Sequence, residues 1–269
     1  MSSTRTVPPS RDRARQVVVT VAYLACVLGS FLGMGAFGGQ EVQSSSSGSL
    51  SDDATHVAPD GPAFSIWSVI YLGLAAYVVH QWLPSRAAHP RERAVGYLVA
   101  ASMVLNAAWI LAAEGDLIWL TVAIILVLLL VLCRIVVLLH RTPSPGWLEA
   151  LVVDGTLGLY LGWVTVATVA NIAAALADSG FDGGPLSPEV WAVVLCVAVA
   201  VIGSLLALRL GGRLAPTLAI AWGLAWIAVG RTAGEPESQV TAVAAIAAAV
   251  VVVLVTLLAR ARRTRSARG

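Results

Sequence analysis

Eight stretches of this sequence, about 16–37, 63–83, 94–113, 117–139, 148–176, 189–208, 215–230 and 239–259, are apolar runs of roughly membrane-crossing length. A helix needs about 20 such residues to span the hydrocarbon core. In that medium every backbone polar group must be bonded within the protein, which leaves only helices and closed barrels. Barrel strands would alternate apolar and polar over about ten residues, and these runs are continuous. The expected fold is therefore all-α, a polytopic membrane bundle of about eight helices. A composition 58% hydrophobic and only 12% charged, with mean hydropathy +0.83, excludes a soluble globule. The seventh run is the shortest and carries Pro216.

Charge placement orients the spans. Arg5, Arg11, Arg13 and Arg15 precede the first, and Arg86, Arg91 and Arg93 follow the second. Arg134 and Arg141 end the fourth, Arg209 and Arg213 end the sixth, and Arg260 to Arg268 follow the eighth. The intervening connections are acidic, with Arg231 alone against them. Every second connection is thus basic, which by the positive-inside rule places both termini in the cytoplasm of a cell carrying the chain in its cytoplasmic (bacterial inner) membrane. The organisation is a basic N-terminus (1–15), five spans (16–177) with a polar outer loop at 38–62, three further spans (178–259) and a basic tail (260–269). The first run exceeds the roughly 7–15 residues of a signal core, so a retained span is expected. The loop is long enough to fold over the mouth of a bundle, and equally compatible with a plain connection.

Several motifs carry little. Gly33 to Gly38 fits GxGxxG at the exit of a membrane run, without the preceding strand that a dinucleotide site requires. Gly29/Gly33 and Gly158/Gly162 are GxxxG pairs, spaced for close helix packing. Cys26, Cys133 and Cys196 lie in apolar runs and offer no metal or disulfide pattern. The histidines are scattered at ends and loops, His56 among them. No metal site, catalytic residue or nucleic-acid-binding stripe is legible, and no cofactor is required.

The informative pattern is a recurrence of aromatic and amide groups at helical spacing. Phe64, Trp67 and Tyr71 stand at i, i+3, i+7 in the second run. Asn106 and Trp109 share a face of the third, and Tyr160, Trp163, Ala167 and Asn171 form a stripe on the fifth. With the orientation above, all three stripes fall in the outer half of the membrane. Each has a bland reading, packing for the rings and interhelical hydrogen bonding for the amides. Their coincidence in depth instead describes a pocket for a flat, mainly hydrophobic ligand. Arg134 and Asp154 lie at similar heights in the fourth and fifth runs and are expected to pair, either as a structural pin or as a coupling site.

These motifs resemble the TspO/MBR family of tryptophan-rich sensory or translocator proteins. The resemblance rests on "WSVIYLGLAAYVV" through Trp67 and Tyr71, on "LNAAW" through Asn106 and Trp109, and on "YLGWVTVATVAN" through Tyr160, Trp163, Thr168 and Asn171. It covers about residues 16–176 and implies a five-helix bundle with a pocket capped by the first loop. It also implies a porphyrin-, haem- or sterol-like ligand, a sensor or translocator role, and a homodimer. The first loop lacks the family's Trp, the run after Trp119 lacks its acidic residue, and "IAAALAD" after Asn171 lacks the sterol motif. The last three spans then read as an addition. A secondary transporter using Arg134 and Asp154 is the alternative, and a membrane enzyme on isoprenoid or tetrapyrrole substrates ranks below it.

Overall fold

The computed structural model describes residues 10–33 and 48–266. The GxGxxG stretch beyond Gly33 and the first part of the outer loop lie outside them. Every regular element among the described residues is helical. Eight helices are long and apolar enough to cross a membrane. They are α1 (Ser10–Gly33), α2 (Ile66–Gln81, entered through a 3-10 turn at Gly61–Ser65), α3 (Pro90–Glu114) and α4 (Ile118–Arg141). Then come α5 (Trp147–Asp178), α6 (Pro188–Arg209), α7 (Leu214–Ala233) and α8 (Gln239–Ser266). Pro216 falls in the first turn of α7, where a missing N–H costs nothing, so the seventh helix is a full 20 residues. Pro90 and Pro188 open α3 and α6 in the same way, each behind a capping side chain, His89 and Ser187.

The first five helices form a ring. α1 packs on α3, α3 on α4 and α4 on α5, while α2 closes the circle between α1 and α5. One apolar core runs through this ring, from Val19 and Cys26 through Leu74, Met103 and Leu132 to Leu157 and Trp163. α6, α7 and α8 form a second layer with its own core, which includes Cys196, Leu224 and Val252. The layers meet along α5 and α7. The outward faces of both are rows of exposed Val and Leu, as lipid contact requires.

Small residues make that junction. A Cβ placed on Gly158 would stand 2.8 Å from the Cβ of Ala215, and one on Gly162 would stand 2.2 Å from the carbonyl oxygen of Pro216. The GxxxG pair of α5 is therefore the seat of α7, and Val166 fills the notch at Gly223 one turn further along. Gly29 plays the same part between α1 and α3, where its Cβ would meet that of Ala107 at 3.2 Å.

α5 departs from a plain α-helix over Ala150–Gly155, a single π-helical segment. At 3.6 residues per turn, Glu149 and Asp154 would project about 140° apart. The i→i+5 bonding of a π turn brings the fifth residue back over the first, and both carboxylates reach the same arginine.

Gly162→Val puts a branched side chain onto a backbone carbonyl that cannot rotate away. It should cost on the order of 1–3 kcal/mol or more, read as a lower Tm of the detergent-purified protein. The same change at Gly146, which has open space around its Cβ position, should leave Tm nearly unchanged.

Candidate functional site

The aromatic stripes of α2 and α5 meet face to edge. Trp67 stacks on Tyr71 with ring centroids 5.3 Å apart, and its ring meets Tyr160 at 5.7 Å and Trp163 at 6.3 Å, both edge-on. Phe64, in the turn that opens α2, meets Trp163 edge-on at 5.7 Å. Such offset and T-shaped contacts contribute about 0.5–1.5 kcal/mol each beyond area burial. Together they fix the angle at which α2 leans on α5.

Amide bonds tie this cluster to the other helices. Asn106 on α3 donates through Nδ2 to the Tyr71 hydroxyl at 2.9 Å, with Cys26 Sγ at 3.4 Å. The Tyr160 hydroxyl donates to the Ser102 carbonyl at 3.2 Å. Trp109 donates its indole N–H to Asn171 Oδ1 at 2.9 Å, and Asn171 Nδ2 donates to Thr121 Oγ1 at 2.9 Å. Asn171 therefore joins α3, α4 and α5. Its partner Thr121 lies in the "LTVAIIL" run, where the sequence offered no signal beyond a lone hydroxyl. Thr168 is spent within its own helix, on the Val164 carbonyl.

The candidate residues divide into two groups. Phe64, Trp109, Trp163 and Asn171 line a cavity of about 70 Å³, closed over by the loop from Ser49 to Pro59. Trp67, Tyr71, Asn106 and Tyr160 do not line it. They stand behind Phe64 and Trp163 as packed and hydrogen-bonded support. The cavity wall is mainly apolar, and two of its lining residues, Thr55 and Trp163, carry a buried polar atom without a hydrogen-bond partner among the described residues. Trp163 is 2% exposed, and its indole N–H has no acceptor among the described residues.

The loop over the cavity is folded. Its turns close through Ser51 N–H to the Gly48 carbonyl and Ala58 N–H to the Thr55 carbonyl. Val57 is buried in the α6–α8 core, and Ser49 bonds Asp178 at the end of α5. His56 is half-buried and does not line the cavity. Burial first, then the nearby Arg231 charge, hold its imidazole below the ordinary range, and Glu189 opposes them. His56 is accordingly neutral at pH 7. Protonation costs the folded loop more than the unfolded one, so acidification through the ordinary histidine range loosens the loop.

At the opposite, arginine-rich end lies a network of buried charges, and here the expected Arg134–Asp154 pair is corrected. Asp154 is held by Arg91 Nη2 at 2.8 and 2.9 Å and by Arg213 Nη1 at 2.5 Å. Arg134 is exposed and forms no ion pair among the described residues. The inward stripe of α4 is Leu128, Leu132, Ile135, Val136 and Leu139, and Arg134 stands about 200° from Leu132 at 100° per residue. Equal height did not mean facing direction. Glu149 pairs with Arg86 and, at 3.2 Å, with Arg91. Tyr77 donates to Glu92 at 2.9 Å, His80 Nδ1 lies 3.3 Å from the same carboxylate, and Gln16 and Gln81 exchange side-chain-to-carbonyl bonds. Arg15 joins Asp12 and the Ala87 carbonyl.

The sequence matches the profile of the TSPO-like protein family over residues 16–258, nine-tenths of the chain and all eight spans. The chain belongs to the TSPO-like family. No curated protein and no solved structure matches it. The match continues through α6, α7 and α8, so in this TSPO-like chain the last three helices fall within the family's own pattern. It is a multi-pass membrane protein. No group of three or more His, Cys, Asp or Glu placed to hold a metal ion occurs among the described residues.

Asp154→Asn should leave the buried Arg91 with Glu149 alone and the half-buried Arg213 without its carboxylate, and cost up to about 3–5 kcal/mol. Arg134→Gln should fall within about 0.5 kcal/mol of the parent, as exposed changes do. Thermal melting of both variants in one detergent checks the contrast, and equal losses would restore Arg134 to the network.

Proposed function

We propose that this TSPO-like chain binds a flat, mainly hydrophobic ligand of the porphyrin or tetrapyrrole type, as a sensor or translocator, in the cavity beneath the 48–60 loop. The reading places that loop outside the cell and the arginine-rich end, with both termini, in the cytoplasm, following the alternation of basic connections. The observation that carries it is the buried Trp163 indole, at the wall of an apolar cavity, with its N–H unspent among the described residues. A ligand bearing a ring face and an acceptor atom would satisfy both its surface and its donor.

The cavity, at about 70 Å³, is smaller than the roughly 300–1,000 Å³ of an ordinary small-molecule site. A macrocycle is therefore admitted with displacement of the loop from Phe64 and Trp163. Trp67, Tyr160 and Tyr71 act by keeping the two walls at a fixed angle, and Asn171 by fixing the Trp109 ring. The transport alternative lost its motif with the Arg134–Asp154 pair, because Asp154 is already saturated by two arginines.

Protoporphyrin IX is the probe. The purified protein should shift its Soret band saturably, and Trp163→Ala should weaken the Kd by about thirtyfold, the equivalent of a 2 kcal/mol contact. Trp119→Phe, at an exposed ring whose N–H bonds Ser179, should leave the Kd unchanged. An unaltered Kd in Trp163→Ala refutes the assignment of this cavity.

A further inference from the structure

We infer that α7 holds the cavity's lid, through Arg231, and that this residue sets how readily a ligand gains access from the lid side. The inference rests on the binding function proposed above for the cavity, and adds the element that governs entry to it.

Arg231 is 1% exposed. Its Nη1 donates to the Thr55 carbonyl at 2.9 Å and its Nη2 to the Asp52 carbonyl at 2.8 Å, so one guanidinium grips the loop backbone at two points three residues apart. Asp52, Asp60, Asp53 and Glu235 surround it with negative charge. This explains why the single basic residue on an otherwise acidic side of the molecule is there. Two further contacts come from the same helix. Trp222 donates its indole N–H to the Ala63 carbonyl at 2.9 Å, and the Asp60 N–H reaches the Trp226 carbonyl at 3.3 Å. Gly230 keeps the approach open, since a Cβ there would meet Asp60 Cβ at 3.3 Å. The loop's own side chains complete the hold, with Asp52 and Asp60 both accepting from Gly61 N–H.

The grip falls on the part of the loop that covers the cavity. Ser51, Ala54, Thr55 and Ala58 line it from above, between and beside the two carbonyls that Arg231 binds. Phe64, one of the cavity walls, follows directly on Ala63, which Trp222 fixes. Helices that contribute no cavity-lining residue thus determine the position of its roof and of one wall. Arg231 is a positioning residue. It does not touch the cavity, and its removal changes access more than affinity.

Hydrogen–deuterium exchange of the full-length protein in nanodiscs, with stopped-flow binding of protoporphyrin IX, tests this. In Arg231→Gln the amides of residues 51–61 should exchange roughly tenfold faster or more, as loss of two charge-assisted bonds implies. Association and dissociation of the porphyrin should both accelerate severalfold, with Kd changed much less. Trp222→Phe, which removes one loop bond and keeps an aromatic side chain, should give a smaller change of the same kind, and serves if Arg231→Gln does not fold. Arg231→Lys should recover part of the protection. Unchanged loop exchange in both Arg231→Gln and Trp222→Phe overturns the strap. Faster exchange with unaltered association overturns its control of access. Faster exchange in a protein that binds no porphyrin supports the strap and refutes the ligand assignment instead.

Discussion

The approach of α5 to α7 is the contact on which the arrangement depends. With no Cβ at Gly158 and Gly162, the α7 backbone near Pro216 comes within touching distance of α5. In a bilayer no hydrophobic force drives helices together, so such surfaces cohere by dispersion over a close fit. That fit fixes the height and rotation of α7. Four turns further along, rotation decides whether Arg231 faces the loop or the lipid. A junction near one end of the helix thereby sets a hydrogen bond at the other.

Polar groups in the two halves of the membrane solve the same problem differently. At the arginine-rich end the solution is ionic. Asp12, Glu92, Glu149 and Asp154 are all buried or nearly so, and each is met by arginine or by Tyr77 and His80. The π segment of α5 turns Glu149 and Asp154 toward one arginine, which an α-helix could not do. Breaking such a set leaves an unpaired charge, so it locks α1, α2, α3, α5 and α7 into one unit. At the lid end, apart from the Arg231 guanidinium on two loop carbonyls, the solution is neutral, through amides, hydroxyls and indoles whose individual bonds contribute only about 0.6–2 kcal/mol. The molecule is firm at one end and yielding at the other, and the cavity lies at the yielding end.

The eight helices were legible because length and hydrophobicity decide membrane insertion locally, one run at a time. The stripes were legible for a similar reason, since i, i+3 and i+7 positions of one helix share a face whatever surrounds it. What lay beyond reading was azimuth between helices. Asp154 and Arg134 matched in height, but α4 turns Arg134 outward because Leu132, Ile135 and Leu139 claim the inward face. The partners of Asn171 and Asp154 sit on other helices, and no spacing within one run announces Thr121 or Arg213. Arg231 left a trace, as the one cation that broke the charge alternation. The trace marked it as unusual without saying that two carbonyls of a distant loop would receive it.

The division of labour between the two layers has a thermodynamic consequence. A lid lying over apolar walls stays shut by the difference between its bonds in the closed state and its hydration in the open one. A ligand that passes beneath it enters only while the lid is open, so its association slows in proportion to the fraction of molecules open at any moment. Here the bonds holding the roof come largely from α7, which belongs to the second layer. A bundle of the first five helices alone would keep its aromatic walls, its Asn171 bridge and its ionic end, yet lose Arg231, Trp222 and Trp226 together. Its cavity would be open more of the time. The second layer therefore adds no wall to the cavity; it shifts the equilibrium of the roof, and any event that moved α6–α8 against α5 would reach the cavity through the same guanidinium.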